Sequence, residues 1–175
     1  MKKKVAINGF GRIGRLVYRA FLERSNEFSD QYEIAYINDL ADIDTNIHLL
    51  KYDSIHGPLS KEINKISNEQ FSIDENKVTV TSERNPIDLK WSDKNVDIIL
   101  ECTGVFASKD KAMSHVESGA SKVIVSAPCS GADITIVQGV NNKNINLDHQ
   151  VISNASCTTN CCLLYTSPSP RDSSP

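Results

Sequence analysis

Two clusters in the sequence have residue types and spacing suited to chemistry. The first is Gly9-Phe10-Gly11-Arg12-Ile13-Gly14, a G-x-G-x-x-G run that follows an apolar stretch and opens a helical one. The first glycine permits a tight turn, the second lets backbone approach a pyrophosphate, and the third allows close helix–strand packing. Unpaired amides of the first helical turn would then face the phosphates. The second cluster is Ser156-Cys157-Thr158-Thr159-Asn160-Cys161, one cysteine among small hydroxyl residues at the expected start of a helix. A thiolate at a helix amino terminus is stabilised by the free amides and the dipole, which lowers its pKa and makes it nucleophilic. The same amides can hold an oxyanion when a carbonyl is attacked. Composition alone leaves Cys157 open between a nucleophile and a structural buried thiol.

The elements around the glycine run support the first reading. Residues 3–8 read as a strand, and Ile13, Leu16, Val17, Ala20 and Phe21 recur with helical spacing. Residues 23–31 are polar and are expected to loop, and residues 32–38 form a second strand. Asp39 stands just past that strand, where a carboxylate accepts hydrogen bonds from a ribose hydroxyl. It lies 28 residues beyond Gly11 rather than about 20, and the polar loop accounts for the excess. Such a carboxylate repels the extra phosphate of NADP, so NAD is the expected cofactor. The other role open to Asp39 is an exposed cap for the next helix.

That helix is expected over 42–51, with Ile43, Ile47 and Leu50 on one face and Asp42 as cap. A turn-rich break at 52–58 leads to short strands at 59–66, 69–73 and 77–81, an antiparallel insertion in the βαβ rhythm. Residues 96–102 read as a central strand ending at Thr103-Gly104, beside the edge where a doubly wound sheet binds ligands. A helix follows over 108–119, with Ala112, Met113 and Val116 inward, Ser108 capping and Gly119 stopping it. Strands are expected at 122–126 and 134–140, after which a second, smaller region begins with the extended piece 151–153. Cys102 reads as a small buried residue, Trp91 as a packing anchor and His115 as a helix-surface residue; His48 and His149 have no catalytic company. The fold class is therefore α/β, a Rossmann-type doubly wound, mostly parallel sheet with a small antiparallel insertion.

Composition excludes several classes. Over 175 residues the net charge is −3, and Lys2-Lys3-Lys4 is the longest basic run, so no nucleic-acid partner is implied. No apolar stretch approaches a membrane span and no signal-peptide core precedes the first strand, which reads as a cytoplasmic amino terminus. Five cysteines are too few for a secreted disulfide scaffold, and Cys157 and Cys161 are spaced C-x-x-x-C rather than C-x-x-C. With histidines only at His48, His56, His115 and His149, no metal-ligand spacing is present, and no metal is expected.

Five motifs are Asn8-Gly9-Phe10-Gly11-Arg12-Ile13-Gly14-Arg15, Lys51-Tyr52-Asp53-Ser54 with His56-Gly57, Glu101-Cys102-Thr103-Gly104-Val105-Phe106, Ser126-Ala127-Pro128, and Ser156 to Cys161. Together they closely resemble the phosphorylating glyceraldehyde-3-phosphate dehydrogenases. The resemblance runs over residues 3–161, the first half of that family's chain. It implies that backbone at Gly9, Gly11, Arg12, Ile13 and Gly14 meets the NAD pyrophosphate and that Asp39 holds the adenosine ribose. It places Arg84 at the adenine pocket and Ser126 near the nicotinamide. Cys157 would be the nucleophile, flanked by Ser156 and Thr158, with the Thr158 hydroxyl helping to bind inorganic phosphate. The implied reaction oxidises glyceraldehyde 3-phosphate through a cysteine thioester to 1,3-bisphosphoglycerate in a cytoplasmic homotetramer. Erythrose-4-phosphate dehydrogenase is the close alternative, and a non-catalytic nucleotide-binding module the alternative of another class.

The chain departs from the family at its end. No histidine follows Cys157, although the family's base lies some tens of residues beyond the cysteine, in the second domain. Residues 1–155 would form the NAD-binding domain and 156–161 the truncated start of the catalytic α+β domain. Residues 162–175 carry Pro168, Pro170 and Pro175 in a Ser/Pro-rich run that forbids a helix and reads as disordered. That tail resembles translated sequencing-adapter read-through and is expected to be non-native. The chain by itself is expected to have negligible turnover.

Overall fold

Six residues, Lys3–Asn8, form β1, the strand on which both halves of the sheet are built. In the computed structural model, which describes the backbone of residues 2–165 and side chains through residue 161, Val5 and Ile7 join one core and Ala6 the other. That alternation is the two-residue period of a strand buried on both faces. α1 (Arg12–Glu23) lays Tyr18 and Leu22 on the Val5 and Ile7 side. The stretch expected to loop contains a one-turn helix, α2 (Ser25–Phe28). β2 (Tyr32–Asn38) then runs parallel to β1, from Lys3 opposite Tyr32 to Asn8 opposite Asn38.

α3 (Ile43–Lys51) is capped as expected: Asp42 Oδ1 accepts from the Thr45 amide at 2.8 Å. The turn-rich break holds a two-residue hairpin, β3 (Tyr52–Asp53) with β4 (Gly57–Pro58). β5 (Ile63–Lys65), β6 (Gln70–Ile73) and β7 (Asn76–Thr81) make the antiparallel insertion, and β7 also pairs parallel with β2. A 3₁₀ turn at Pro86–Leu89 and the short α4 (Trp91–Lys94) bring Trp91 into the core. β8 (Ile98–Glu101), α5 (Lys109–Glu117) and β9 (Lys122–Val125) follow. β10 (Ile134–Thr135), β11 (Val151–Ser153) and α6 (Cys157–Tyr165) complete the described residues.

The main sheet has nine strands in the order β10-β11-β9-β8-β1-β2-β7-β6-β5, parallel except at the β7-β6-β5 edge. From β1 the chain first builds outward through β2 and later returns to build outward through β8 on the other side. The order reverses between β1 and β8, and the crevice at the carboxyl ends of these strands is where such sheets bind ligands.

Several expectations are corrected. His115 is not a surface residue: it is 0% exposed, because Trp91 Nε1 and Glu101 give its ring polar partners inside the core. The strand expected over 134–140 stops at Thr135, where Asn141 takes over the backbone. Its Oδ1 accepts from the Val137 amide at 2.8 Å and its Nδ2 donates to the Thr135 carbonyl at 2.9 Å. Residues 151–153 do not open a separate region, since β11 inserts between β9 and β10. Ser108 occupies the cap position of α5 without a side-chain cap bond, and Cys102 is half-buried. α6 continues to Tyr165, past the expected junction at 161, because the first proline stands only at Pro168. Residues 166–175, and with them most of the expected disordered tail, lie outside the described residues.

Candidate functional site at the sheet's carboxyl edge

A cavity of about 520 Å³ opens at that crevice, within the usual size of a ligand pocket. Asn8, Gly9 and Gly11 form its floor, Asn38, Asp39, Glu83 and Arg84 one wall, and Cys102, Thr103 and Phe106 the other. Of the residues singled out in the sequence, Gly9, Gly11, Asp39 and Arg84 thus meet in one place.

The glycine turn shows why each glycine is there. Gly9 has φ +88°, and a Cβ on it would come within 2.7 Å of Thr103 Cγ2. A Cβ on Gly14 would collide with the Gly9 carbonyl oxygen, so α1 packs directly on the turn. A Cβ on Gly11 would meet nothing within 4 Å, yet Gly11 lines the cavity: a side chain there would fill the cradle. No side chain caps α1, which leaves the Arg12 and Ile13 amides without intrahelical acceptors at its positive end. The cradle, the free amides and the carboxylate opposite fit a dinucleotide.

Asp39 ties the glycine turn to its own loop after β2. Its Oδ2 accepts from the Phe10 amide at 2.7 Å and its Oδ1 from the Ala41 amide at 2.9 Å. Arg15 Nη1 holds the Phe10 carbonyl at 2.9 Å, so the turn is pinned through both groups of one peptide residue. The alternative role of Asp39 as a helix cap fails, since Asp42 fills it. The Arg12 side chain turns away to Asp53 at 3.2 Å. Backbone amides of His56 and Ile55, and then the Arg12 guanidinium, hold the Asp53 carboxyl down to about 2.

The cysteine cluster forms a second group, outside the cavity wall. Ala155 takes φ +55° as the chain turns from β11 into α6, and Cys157 is exposed at the first helical position. Ser156 Oγ accepts from the Thr159 amide at 2.9 Å and so caps the helix, leaving the Cys157 and Thr158 amides free. Ser156 Oγ also lies 3.0 Å from Thr158 Oγ1. Ser126 follows β9, half-buried, and its amide donates to the Glu101 carbonyl at 2.9 Å. Burial pushes the neighbouring Cys102 thiol up to about 11, with a hydrogen bond to Ser126 opposing the shift. Among the described residues no group of three or more His, Cys, Asp or Glu is placed to hold a metal ion, and no helix is long and apolar enough to cross a membrane.

A family model described as "Glyceraldehyde 3-phosphate dehydrogenase, NAD binding domain" matches residues 3–109. The chain belongs to the glyceraldehyde 3-phosphate dehydrogenase family. It carries that family's NAD-binding domain, and NAD is the cofactor of its nucleotide site. Curated relatives named glyceraldehyde-3-phosphate dehydrogenase include one from Xanthobacter flavus, 48% identical over 161 residues, and one from Mycoplasma pneumoniae, 50% identical over 159. These matches cover 92% and 90% of this chain, but 47% and 45% of the relatives. A relative from Streptomyces avermitilis, named glyceraldehyde-3-phosphate dehydrogenase 2, is 49% identical over 162 residues, 92% of this chain and 47% of its own. The chain spans about half the length of the curated glyceraldehyde-3-phosphate dehydrogenases it matches.

Sequence reasoning missed part of the cavity. Asn8 and Asn38, 2% and 5% exposed, end adjacent strands, and the signal in the sequence is an asparagine directly after the apolar residues that close each run. Thr103 is expected beside the ligand-binding edge but with no contact of its own, and Phe106 stands in the sequence only as part of a family motif. Their part depends on the Gly9 contact and on α5, which spacing alone does not encode.

Proposed function

We propose that this chain is the NAD-binding half of an enzyme that oxidises glyceraldehyde 3-phosphate to 1,3-bisphosphoglycerate, with Cys157 as nucleophile. The observation that carries the reading is that Gly9, Gly11 and Asp39 line one cavity, with an exposed cysteine heading a Ser-capped helix elsewhere in the chain. In this reading Gly9, Gly11, Arg12, Ile13 and Gly14 receive the pyrophosphate, Asp39 the ribose, Arg84 the adenine side and Ser126 the nicotinamide side. Residues 1–155 make up the nucleotide domain and 156–161 begin the catalytic one.

The Cys157 thiolate adds to the aldehyde carbon and forms a thiohemiacetal, whose oxyanion the free Cys157 and Thr158 amides can hold. Bound NAD supplies the hydride acceptor for oxidation. Cys157 is left as a thioester, an acyl donor that retains the oxidation energy. Inorganic phosphate, met by the Thr158 hydroxyl, then attacks the thioester carbonyl, and the Cys157 thiolate departs. Among the described residues no base is hydrogen-bonded to Cys157, so in this reading the base that takes the proton comes from the family's second half. A cytoplasmic homotetramer belongs to the same reading and rests on family membership.

Calorimetric titration of the 175-residue chain tests the first half: saturable binding of NAD, and far weaker binding of NADP, is expected. No saturable NAD binding overturns the reading. For the chemistry, the chain joined to the family's second half should form NADH from glyceraldehyde 3-phosphate only with phosphate present, and Cys157→Ser should abolish it. Full activity in that variant removes Cys157 from the mechanism.

A further inference from the structure

Beneath the cavity lies a buried polar chain that the reaction above does not use. Glu101, 1% exposed, ends β8. Its Oε2 accepts from Asn8 Nδ2 at 2.6 Å and faces His115 Nε2 at 3.0 Å; its Oε1 accepts from the Thr103 amide at 2.8 Å and from the Thr103 hydroxyl. Indole N–H can only donate, and Trp91 Nε1 lies 3.1 Å from His115 Nδ1. His115 Nδ1 is therefore the acceptor, and Nε2 carries the proton that is given to Glu101. The rings of Trp91 and Phe106 both pack near the imidazole, and Phe106 itself lines the cavity. From Asn8 the chain continues outward. Asn38 Nδ2 donates to Asn8 Oδ1 at 2.7 Å and to the Glu83 carbonyl at 2.8 Å, and the Glu83 amide donates back to Asn38 Oδ1 at 2.8 Å.

Both ends of this chain are cavity walls: Thr103 with Phe106 on one side, Glu83 with Arg84 on the other. We infer that the buried Glu101–His115 pair is a positioning unit of the nucleotide site. It clamps the Thr103 turn against Gly9 and, through Asn8 and Asn38, fixes the separation of the two walls. A buried ion or polar pair adds little stability over apolar residues of the same shape. What it adds is direction: four donors of fixed geometry converge on one carboxylate. The contact at Gly9 is already too tight for a Cβ, so displacement of Thr103 passes straight to the glycine turn. The inference rests on the NAD-binding reading of this cavity.

The test is an NAD titration of the 175-residue chain and its variants Glu101→Gln, His115→Gln and Thr103→Val, with near-ultraviolet circular dichroism to verify folding. Glu101→Gln puts an amide N–H among donors, and Thr103→Val removes one donor from an exposed residue. Each is expected to weaken NAD binding about tenfold. The double variant should be little weaker than Glu101→Gln alone, because the two act as one unit. Trp91 is the sole tryptophan, so its emission should shift in folded His115→Gln. A merely structural role would lower the unfolding midpoint and leave both the affinity of the folded fraction and its additivity untouched. Folded Glu101→Gln and Thr103→Val binding NAD as tightly as the unsubstituted chain overturns the inference. Should Glu101→Gln not fold, Thr103→Val decides alone. No NAD binding by the unsubstituted chain overturns the cavity's reading and this inference together, whereas equal binding by all chains overturns only this one.

Discussion

The glycines of the first turn differ in what a side chain would meet, and that separates stability from binding residue by residue. Gly11 faces open cavity, so Gly11→Val should leave the unfolding midpoint nearly unchanged while abolishing NAD binding by filling the cradle. Gly9 combines φ +88° with a 2.7 Å approach to Thr103, so Gly9→Ala should destabilise the fold by about 1–3 kcal/mol. Denaturant unfolding and calorimetry on the two variants check this contrast, and a stable Gly9→Ala chain would contradict it. The cysteines differ in the same way. Cys157 is exposed, whereas Cys102 is half-buried with its thiol pushed up to about 11 by burial. Iodoacetamide at pH 8 should therefore alkylate Cys157 and spare Cys102, as read by peptide mass spectrometry. The sign for stability follows from a raised thiol: the Cys102 contribution is complete below its ordinary value of 9.0 and is lost as pH rises to about 11. Cys102→Ala should flatten the stability profile in that window.

At the scale of elements, one carboxylate ties the far edge of the sheet to its helix layer. Asp133 Oδ2 accepts from the Gln150 and Val151 amides, each at 2.8 Å, while Oδ1 meets Lys109 Nζ at the start of α5. The Lys109 hydrogen bond first, and then the Val151 and Gln150 amides, hold Asp133 down to about 2. Its contribution is thus present above the ordinary carboxyl value of 3.8 and lost as pH falls to about 2. Asp133→Asn should lower stability at neutral pH by on the order of 1–2 kcal/mol and remove that part of the acid transition. An unchanged acid limb in this variant would count against the clamp. The elements most legible in the sequence were those whose period and ends agree: β1, α1, β2 and α3 follow from alternation, helical spacing and the Asp42 cap. Less legible were the elements ended by a distant or side-chain partner. β10 is cut short by Asn141, and His115 turns inward because Trp91 and Glu101, far off in sequence, supply its hydrogen bonds.

For the whole molecule, the reversal of strand order between β1 and β8 decides where the ligand goes, and local spacing only partly foretold it. The glycine run and Asp39 were readable because they follow β1 and β2 directly. Thr103 and Phe106 join them only because β8 pairs with β1 across a gap of ninety-odd residues, a long-range choice fixed by the two cores rather than by any motif. A site assembled from the ends of four strands belongs to the folded sheet and not to the unfolded chain, so its ligand must stabilise the fold. Binding to the native state alone adds RT ln(1 + [L]/Kd), about 2.7 kcal/mol when NAD stands at a hundred times its Kd. The unfolding midpoint of the 175-residue chain should therefore rise steadily with NAD concentration. NADP at the same concentration should raise it much less, since its extra phosphate would face the Asp39 carboxylate. Gly11→Val should show no rise with either. A midpoint that rises equally with NAD and NADP would mean that the nucleotide binds without its ribose meeting Asp39, and the cavity would then be read from the Arg84 side instead.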